Sequence, residues 1–404
     1  MDKYNLKKQR LTYYETLQYD SILKWQMPHF KYFDQLGADG KISPQVWKNG
    51  LFRFFFNIGL PFVMLLSDFY FLFSYLIKNL TPKDTTPFNR LYVCRERHLY
   101  LIAKRMGILS KDDVWFASPF DTFTLPYDAK QIRVLDYTSF TDAFLCFFQS
   151  IIIHSYTVFH FGYDYYLLSF KAFDWCMMDM ALRNIPQNVD LYFCNICDRC
   201  AILIDKLPQH NKIMIQHGAM HFHNNSNSSP YMTLQEDKGF WIWNSLYKNS
   251  PTRVYCFTED DEIALRRSVI ANDPEFIHIG YDFRPAFKPN KFSVLIIGMY
   301  TLFADKEKEI IKDLQGLDID VYLKNHPSID NGKYDVFRKE YNFIFLEGVG
   351  AELPDVDLVF SYDSTLAYEY ASIGTEVLYY DNFDMKDVKK IVEKKLSYRL
   401  NRND

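Results

Sequence analysis

The chain has 404 residues, 48% hydrophobic and 24% charged, the balance of a folded globular protein long enough for two separate cores. A formal net charge of −4 excludes a general nucleic-acid binder, which carries a strongly basic face. The seven cysteines are odd in number and scattered, so no disulfide framework is expected and a reducing cytoplasm fits the composition.

The polar start, "MDKYNLKKQRLTYYETLQYD", has no apolar run of the kind a signal peptide needs. Residues 1–85 read as a helical N-terminal segment packed on the first domain. Within it, residues 51–80 are strongly apolar, but Arg53, Asn57, Pro61 and Asp68 interrupt them, leaving no clean run of about 20 apolar residues to cross a bilayer. Two readings compete for this stretch. It is either a buried helical hairpin, the reading that broken apolar runs in large cores favour, or a segment lying in the headgroup layer of a membrane.

From residue 86 strand and helix signals alternate. "RLYVC" precedes a helical "RERHLYLIAKRMG"; "DVWFAS" and "QIRVLDY" read as short strands. "DLYFC" leads into the helical "NICDRCAILIDKLP", "KIMIQ" into a polar loop, and "RVYCF" into "TEDDEIALRRSVI", where Thr258 is a good N-cap with acids in the first turn. "EFIHIG" closes this half, and "YDFRPAFKPNK" links it to the next. There "FSVLIIG", "DVYLKN", "NFIFLEG", "DLVFSY" and "EVLYYD" read as strands, with helices after the first and fourth. Such alternation predicts an α/β protein with two Rossmann-like domains of parallel strands facing a cleft, over residues 86–285 and 286–404.

Ligands of parallel α/β sheets bind at the carboxyl ends of the strands, which selects the residues that matter. In the second half these are Gly298 with Tyr300 and Thr301; Lys324, Asn325 and His326 before Pro327; Glu347; and Ser361, Asp363, Ser364 and Thr365. The last group opens a helix whose amides and hydroxyls suit an anion, and Glu369, a turn further, suits ribose hydroxyls. Together they describe a socket for the phosphate and ribose of a nucleotide. Each has a plain structural alternative: His326 as a loop residue, Ser364 and Thr365 as a helix cap.

In the first half, "QHG" places Gln216, His217 and Gly218 at a strand end, with Gly218 permitting close approach of another group. His217 is a candidate general base, and Asp121 and Asp136 are alternatives at neighbouring strand ends. Asp198 and Arg199, at the start of a helix, are further candidates on this acceptor side. His217, His221 and His223 lack a fourth ligand, and "CNICDRC" lacks a fourth cysteine, so neither metal nor cluster is expected. A dinucleotide fingerprint, a P-loop and a serine-hydrolase elbow are all missing from the sequence.

"QHG", "KNHP" and "DSTLAYEYASIG", in this order, resemble bacterial surface-polysaccharide glycosyltransferases of the GT-B type. That group includes polysialyltransferases and capsular Kdo transferases that use CMP-activated sugars, and teichoic-acid polymerases share a similar order of motifs. The resemblance spans about residues 190–381. It implies that His326 contacts donor phosphate with Pro327 beside it, that Ser364, Thr365 and Glu369 complete the donor site, and that Gln216, His217 and Gly218 lie near the acceptor. The acidic motif that supplies the general base in many relatives has no clear match here. The implied reaction is an inverting, metal-independent transfer from a nucleotide-activated sugar to a capsule or lipopolysaccharide acceptor glycan or glycolipid, with no cofactor beyond the donor. It also implies cytoplasmic work, with the inner face of the plasma membrane as an open peripheral contact. The alternatives are a CDP-glycerol or ribitol type polyol-phosphate transferase and a non-catalytic nucleotide-sugar-binding module.

Overall fold

The computed structural model describes residues 5–13, 50–78, 87–93, 97–117, 130–161, 172–194, 199–207, 209–216, 218, 249–326, 331–348, 351–362, 364–380 and 382–403. They form an α/β protein with two all-parallel sheets, of seven and five strands. By internal contacts they divide into two compact units. The first takes the described parts of residues 1–217, 242–256 and 262–278; the second takes residue 218, residues 257–261 and the described residues from 279 onward.

The seven strands are β1 (Arg90–Tyr92), β2 (Asp113–Ala117), β3 (Lys130–Arg133), β4 (Asp190–Cys194), β5 (Lys212–Ile215), β6 (Arg253–Cys256) and β7 (Glu275–His278). Their order across the sheet is β3-β2-β1-β4-β5-β6-β7. Strands β4 and β5 are buried along nearly their whole length. That is why they read as continuous apolar runs rather than alternating ones. The helices of this half are α1 (residues 6–13), α2 (Gly50–Lys78), α3 (Arg97–Arg105), α4 (Phe140–Phe161), α5 (Ala172–Asn184), α6 (Arg199–Asp205) and α7 (Glu259–Ser268).

Two expectations change here. The apolar stretch is one continuous helix, α2, and not a hairpin. The helix runs through Pro61 although that residue withholds a backbone donor. The stretch read as the strand "QIRVLDY" is a strand only to Arg133. Beyond it, residues Val134–Tyr137 form a 3-10 turn, in which Asp136 accepts from the Arg133 backbone N–H at 2.9 Å.

Helices α4 and α5 carry no amphipathic period, and sequence reading passed over them. Residues Ala172–Leu182 of α5 are all buried, Asp174 and Asp179 among them, so no polar stripe marks the helix in the sequence. Asp179 is held by Arg183 at 2.8 Å and by the Gln9 side chain at 3.0 Å, which ties α1 to this core.

The five strands of the second sheet are β8 (Ser293–Gly298), β9 (Asp320–Asn325), β10 (Ile344–Leu346), β11 (Leu358–Ser361) and β12 (Glu376–Tyr379), in the order β10-β9-β8-β11-β12. Helices α8 (Tyr300–Asp313), α9 (Asp335–Glu340), α10 (Thr365–Ser372) and α11 (Val388–Asn403) accompany them. The core is aliphatic at β8 and β11 and ringed by buried tyrosines, including Tyr334, Tyr370 and Tyr380. In both sheets the chain builds outward from the first strand in one direction, then returns to build on its other side. Each sheet therefore has a switch point, between β1 and β4 and between β8 and β11.

Candidate active site

At the switch point of the second sheet the strand register aligns Leu346, Lys324, Ile297, Ser361 and Tyr379 in one rung. With about 4.8 Å between strands, Lys324 and Ser361 stand roughly 10 Å apart, one on each side of β8. The next rung pairs Gly298 with Asn325. His326 follows at once, half-buried, and its backbone N–H donates to the Gly298 carbonyl at 3.0 Å. The carboxyl edge thus gathers an ammonium, an amide and an imidazole on one side of β8 and a helix start on the other.

Lys324 is the most informative of these groups. It is only 9% exposed, and its Nζ donates to the Gly348 carbonyl at 2.7 Å. Gly348 presents that carbonyl from a left-handed backbone, φ +77, which a glycine adopts without strain. Among the described residues Lys324 has no carboxylate within ion-pair distance. Burial lowers the pKa of its ammonium. A nearly buried cation without a counter-charge is costly, and an arriving anion removes that cost.

Beneath the edge lies a carboxylate that sequence reading missed. Glu307, on α8, is fully buried, and accepts from the Met299 N–H at 2.5 Å and from the Tyr334 hydroxyl at 2.6 Å. Burial pushes its pKa up to about 7 against the pull of those two donors. A side chain at Gly298 has no room here: a Cβ would sit 2.6 Å from the Tyr334 hydroxyl. The turn leaving β8 is therefore fixed from below by Glu307 and Tyr334. Tyr300 and Thr301 occupy the first positions of α8. In the sequence Glu307 stands in "ADKEKEII", where it looks like any acid on an exposed helix face.

On the other side of β8, Ser361 is fully buried and its hydroxyl donates to the Tyr362 carbonyl at 2.6 Å. Ser364 is the N-cap residue of α10, with extended backbone and no hydrogen bond from its side chain to the helix. Thr365 begins the helix. A Cβ on Gly218 would lie 2.8 Å from the Thr365 Oγ1, so Gly218 runs against the N-terminus of α10 at a distance only glycine tolerates. Glu369 is half-buried and is one of the negative charges that, after burial and Asp261, raise the pKa of Tyr281. Tyr281 stacks on Phe257 with ring centroids 4.7 Å apart. The Asp261 backbone N–H donates to Thr258 Oγ1 at 3.3 Å, so Thr258 caps α7 as its sequence predicts, and the Thr258 hydroxyl donates in turn to the Asp261 carboxylate at 2.6 Å. Tyr281 carries no motif, and only the fold brings it near Glu369.

The remaining candidates are more dispersed. Glu347 is exposed and accepts from Arg338 at 2.5 Å. Asp136 is buried and both its oxygens accept from Arg133, one at 2.7 Å from the guanidinium and one at 2.9 Å from the backbone. Gln216 is buried, and its backbone N–H donates to the Tyr255 carbonyl at 3.0 Å. Arg199 is the first residue of α6, on the β4 side of the first switch point. Asp121, Asp198, His217, Pro327 and Asp363 lie outside the described residues, as do His221, His223 and Cys197. Among the described residues no three His, Cys, Asp or Glu side chains cluster as metal ligands would.

No protein-family model matches the chain, and no curated protein matches its sequence. Among solved structures, the wall teichoic acid polymerase TagF, in a structure with CDPG, aligns over 83% of this chain and 86% of its own at 9% identity and a TM-score of 0.41. Alr3699/HepE of Anabaena, in complex with UDP and glucose, aligns over 76% and 89% at 11% identity and a TM-score of 0.40. CalG4, the calicheamicin glycosyltransferase, aligns over 79% and 93% at 10% identity and a TM-score of 0.37. Likenesses at this level carry no functional argument, and the reading that follows rests on the residues.

Proposed function

We propose that the chain is an inverting, metal-independent glycosyltransferase of the GT-B type. It moves a sugar, of the CMP-activated nonulosonic acid or Kdo kind, from a nucleotide donor to an acceptor glycan or glycolipid of capsule or lipopolysaccharide. The second unit holds the donor and the first supplies the acceptor side, at the cytoplasmic face of the bacterial plasma membrane. The observation that carries this reading is Lys324, a nearly buried ammonium with no carboxylate partner among the described residues, at the switch point of a parallel sheet.

In the reaction an acceptor hydroxyl attacks the anomeric carbon while the nucleotide departs, and negative charge grows on the departing phosphate. Lys324, His326 and the N-terminus of α10 at Ser364 and Thr365 are the groups assigned to that charge. One phosphate presents a charge that a lysine, an imidazole and a helix start are enough to neutralise. Glu369, beside Tyr281, is assigned to the ribose, with Asn325 and Ser361 lining the donor site. His217 or Asp121 takes the acceptor proton. Asp136 is the weaker candidate, since Arg133 occupies both its oxygens. Gln216, Gly218, Asp198 and Arg199 are assigned to the acceptor side.

The test is nucleotide release from a panel of CMP-, CDP-, UDP- and GDP-linked donors with acceptor glycans supplied. At least one donor is expected to turn over, and His326→Ala to slow it about 10²–10³-fold. No release from any donor removes the reading. Binding without turnover leaves a nucleotide-sugar-binding module, and a phosphodiester in the product mass spectrum turns the assignment to polyol-phosphate transfer.

A further inference from the structure

Glu307 is a buried carboxylate that no cation neutralises among the described residues. It lies on α8, and its two oxygens accept from the Met299 N–H at 2.5 Å and from the Tyr334 hydroxyl at 2.6 Å. A carboxylate buried in this way costs more than hydrocarbon of the same shape would, so the packing of α8 on the sheet does not account for it. What it adds over hydrocarbon is direction, since it fixes one N–H and one O–H at set points.

Those two groups belong to two different connections at the carboxyl edge. Met299 is the N-cap residue of α8, directly after β8. Tyr334 ends the 3-10 turn Asn331–Tyr334, between β9 and α9. It is fully buried, with its ring 5.5 Å from that of Phe337 and 5.4 Å from that of Phe345. The same two strands are joined again at the edge itself, where the His326 N–H donates to the Gly298 carbonyl at 3.0 Å. A second buried tyrosine, Tyr380, does not compete for the carboxylate, because its hydroxyl donates to the Ile297 carbonyl at 2.9 Å. Glu307 is therefore shared between the turn that starts α8 and the stretch that begins at His326.

We infer that Glu307 is a positioning residue of the nucleotide-sugar site: it ties the turn after β8 to the segment after β9, so that His326 and the start of α8 meet the departing phosphate as one rigid edge. The role at the phosphate rests on the transferase reading, whereas the tie rests on the geometry alone.

The experiment is hydrogen exchange of the full chain read by mass spectrometry, paired with turnover of the nucleotide sugar. Tyr334→Phe removes one hydroxyl, keeps the ring and changes nothing within residues 297–303. Even so, residues 297–303 and 331–337 are both expected to lose protection, each at least about fivefold. Glu307→Met strands both hydrogen-bonding groups and is expected to do the same more strongly. Glu307→Gln keeps an acceptor for the Met299 N–H and an amide from which the Tyr334 oxygen can accept, so it is expected to restore most of the protection. In turnover, Tyr334→Phe is expected to lower kcat about tenfold with KM within about twofold, because alignment on a departing phosphate is felt in the transition state. Glu307→Gln is expected to recover most of that loss. Loss of protection confined to residues 331–337 overturns the inference, and so does a kcat that survives joint loss of protection in both segments. No nucleotide release by the unaltered chain from any sugar donor removes the transferase reading and the role at the phosphate with it, while the exchange result still decides the tie.

Discussion

The two units treat buried charge in opposite ways. In the first, Asp68 meets His154, Asp136 meets Arg133 and Asp179 meets Arg183, each within 2.9 Å. In the second, Lys324 bonds only a carbonyl, and Glu307 only a hydroxyl and an amide, among the described residues. Paired charges of the first kind hold elements together, since removing one partner strands the other in a poor solvent. Unpaired charges of the second kind leave the fold under-neutralised at one place. That place is the carboxyl edge of the second sheet, where a ligand can complete it.

The sharpest way to break this contrast is Arg183→Met, which strands the buried Asp179 carboxylate. Its loss is expected to cost about 3–5 kcal/mol in urea denaturation, and a cost under about 1 kcal/mol would deny the pair its structural role. Lys324→Met is the counterpart in the second unit. It is expected to slow donor turnover about 10²–10³-fold while leaving the unfolding midpoint level or raised. A fall in stability as large as that of Arg183→Met would make Lys324 structural and erase the difference between the units.

Glu307 sharpens the comparison through pH. Its pKa is raised in the folded chain from 4.5 to about 7, so its contribution to stability is fully present below about pH 4.5 and is lost as pH rises through 7. Relative to Glu307→Gln, the parent is expected to lose up to about 3 kcal/mol between pH 4.5 and pH 8, read as the changing gap between two denaturation midpoints. Parallel curves would mean that the carboxylate is not isolated after all. The smallest effect expected is that of Gly218→Ala, whose new Cβ meets the Thr365 Oγ1 at 2.8 Å. A cost of about 1–2 kcal/mol is expected, relieved when Thr365→Ala is combined with it; two additive costs would separate the positions.

The strands, and which polar residues stand at their carboxyl ends, were legible because a parallel sheet writes short apolar runs into the sequence and polar groups end them. Lys324, Asn325 and His326 directly follow the apolar "VYL" of β9, and Ser364 and Thr365 stand at the start of α10. Glu307 was not legible, since whether a helix acid faces water or a buried tyrosine depends on which strand the helix packs upon. The neighbour of Glu369 was not legible either, because Tyr281, whose pKa its charge helps to raise, comes from a distant part of the chain.

The sequence by itself determined the alternation of strands and helices and the chemical types at the strand ends, since both depend on neighbours a few residues away. Tertiary structure alone decided which charges are paired. It also decided that α2 is one helix with an apolar outer face, and that Gly218 lies against Thr365. Counter-charges and close approaches join residues tens to hundreds of positions apart, and the strength of a buried charge depends on how much water its neighbours exclude, which no local pattern records.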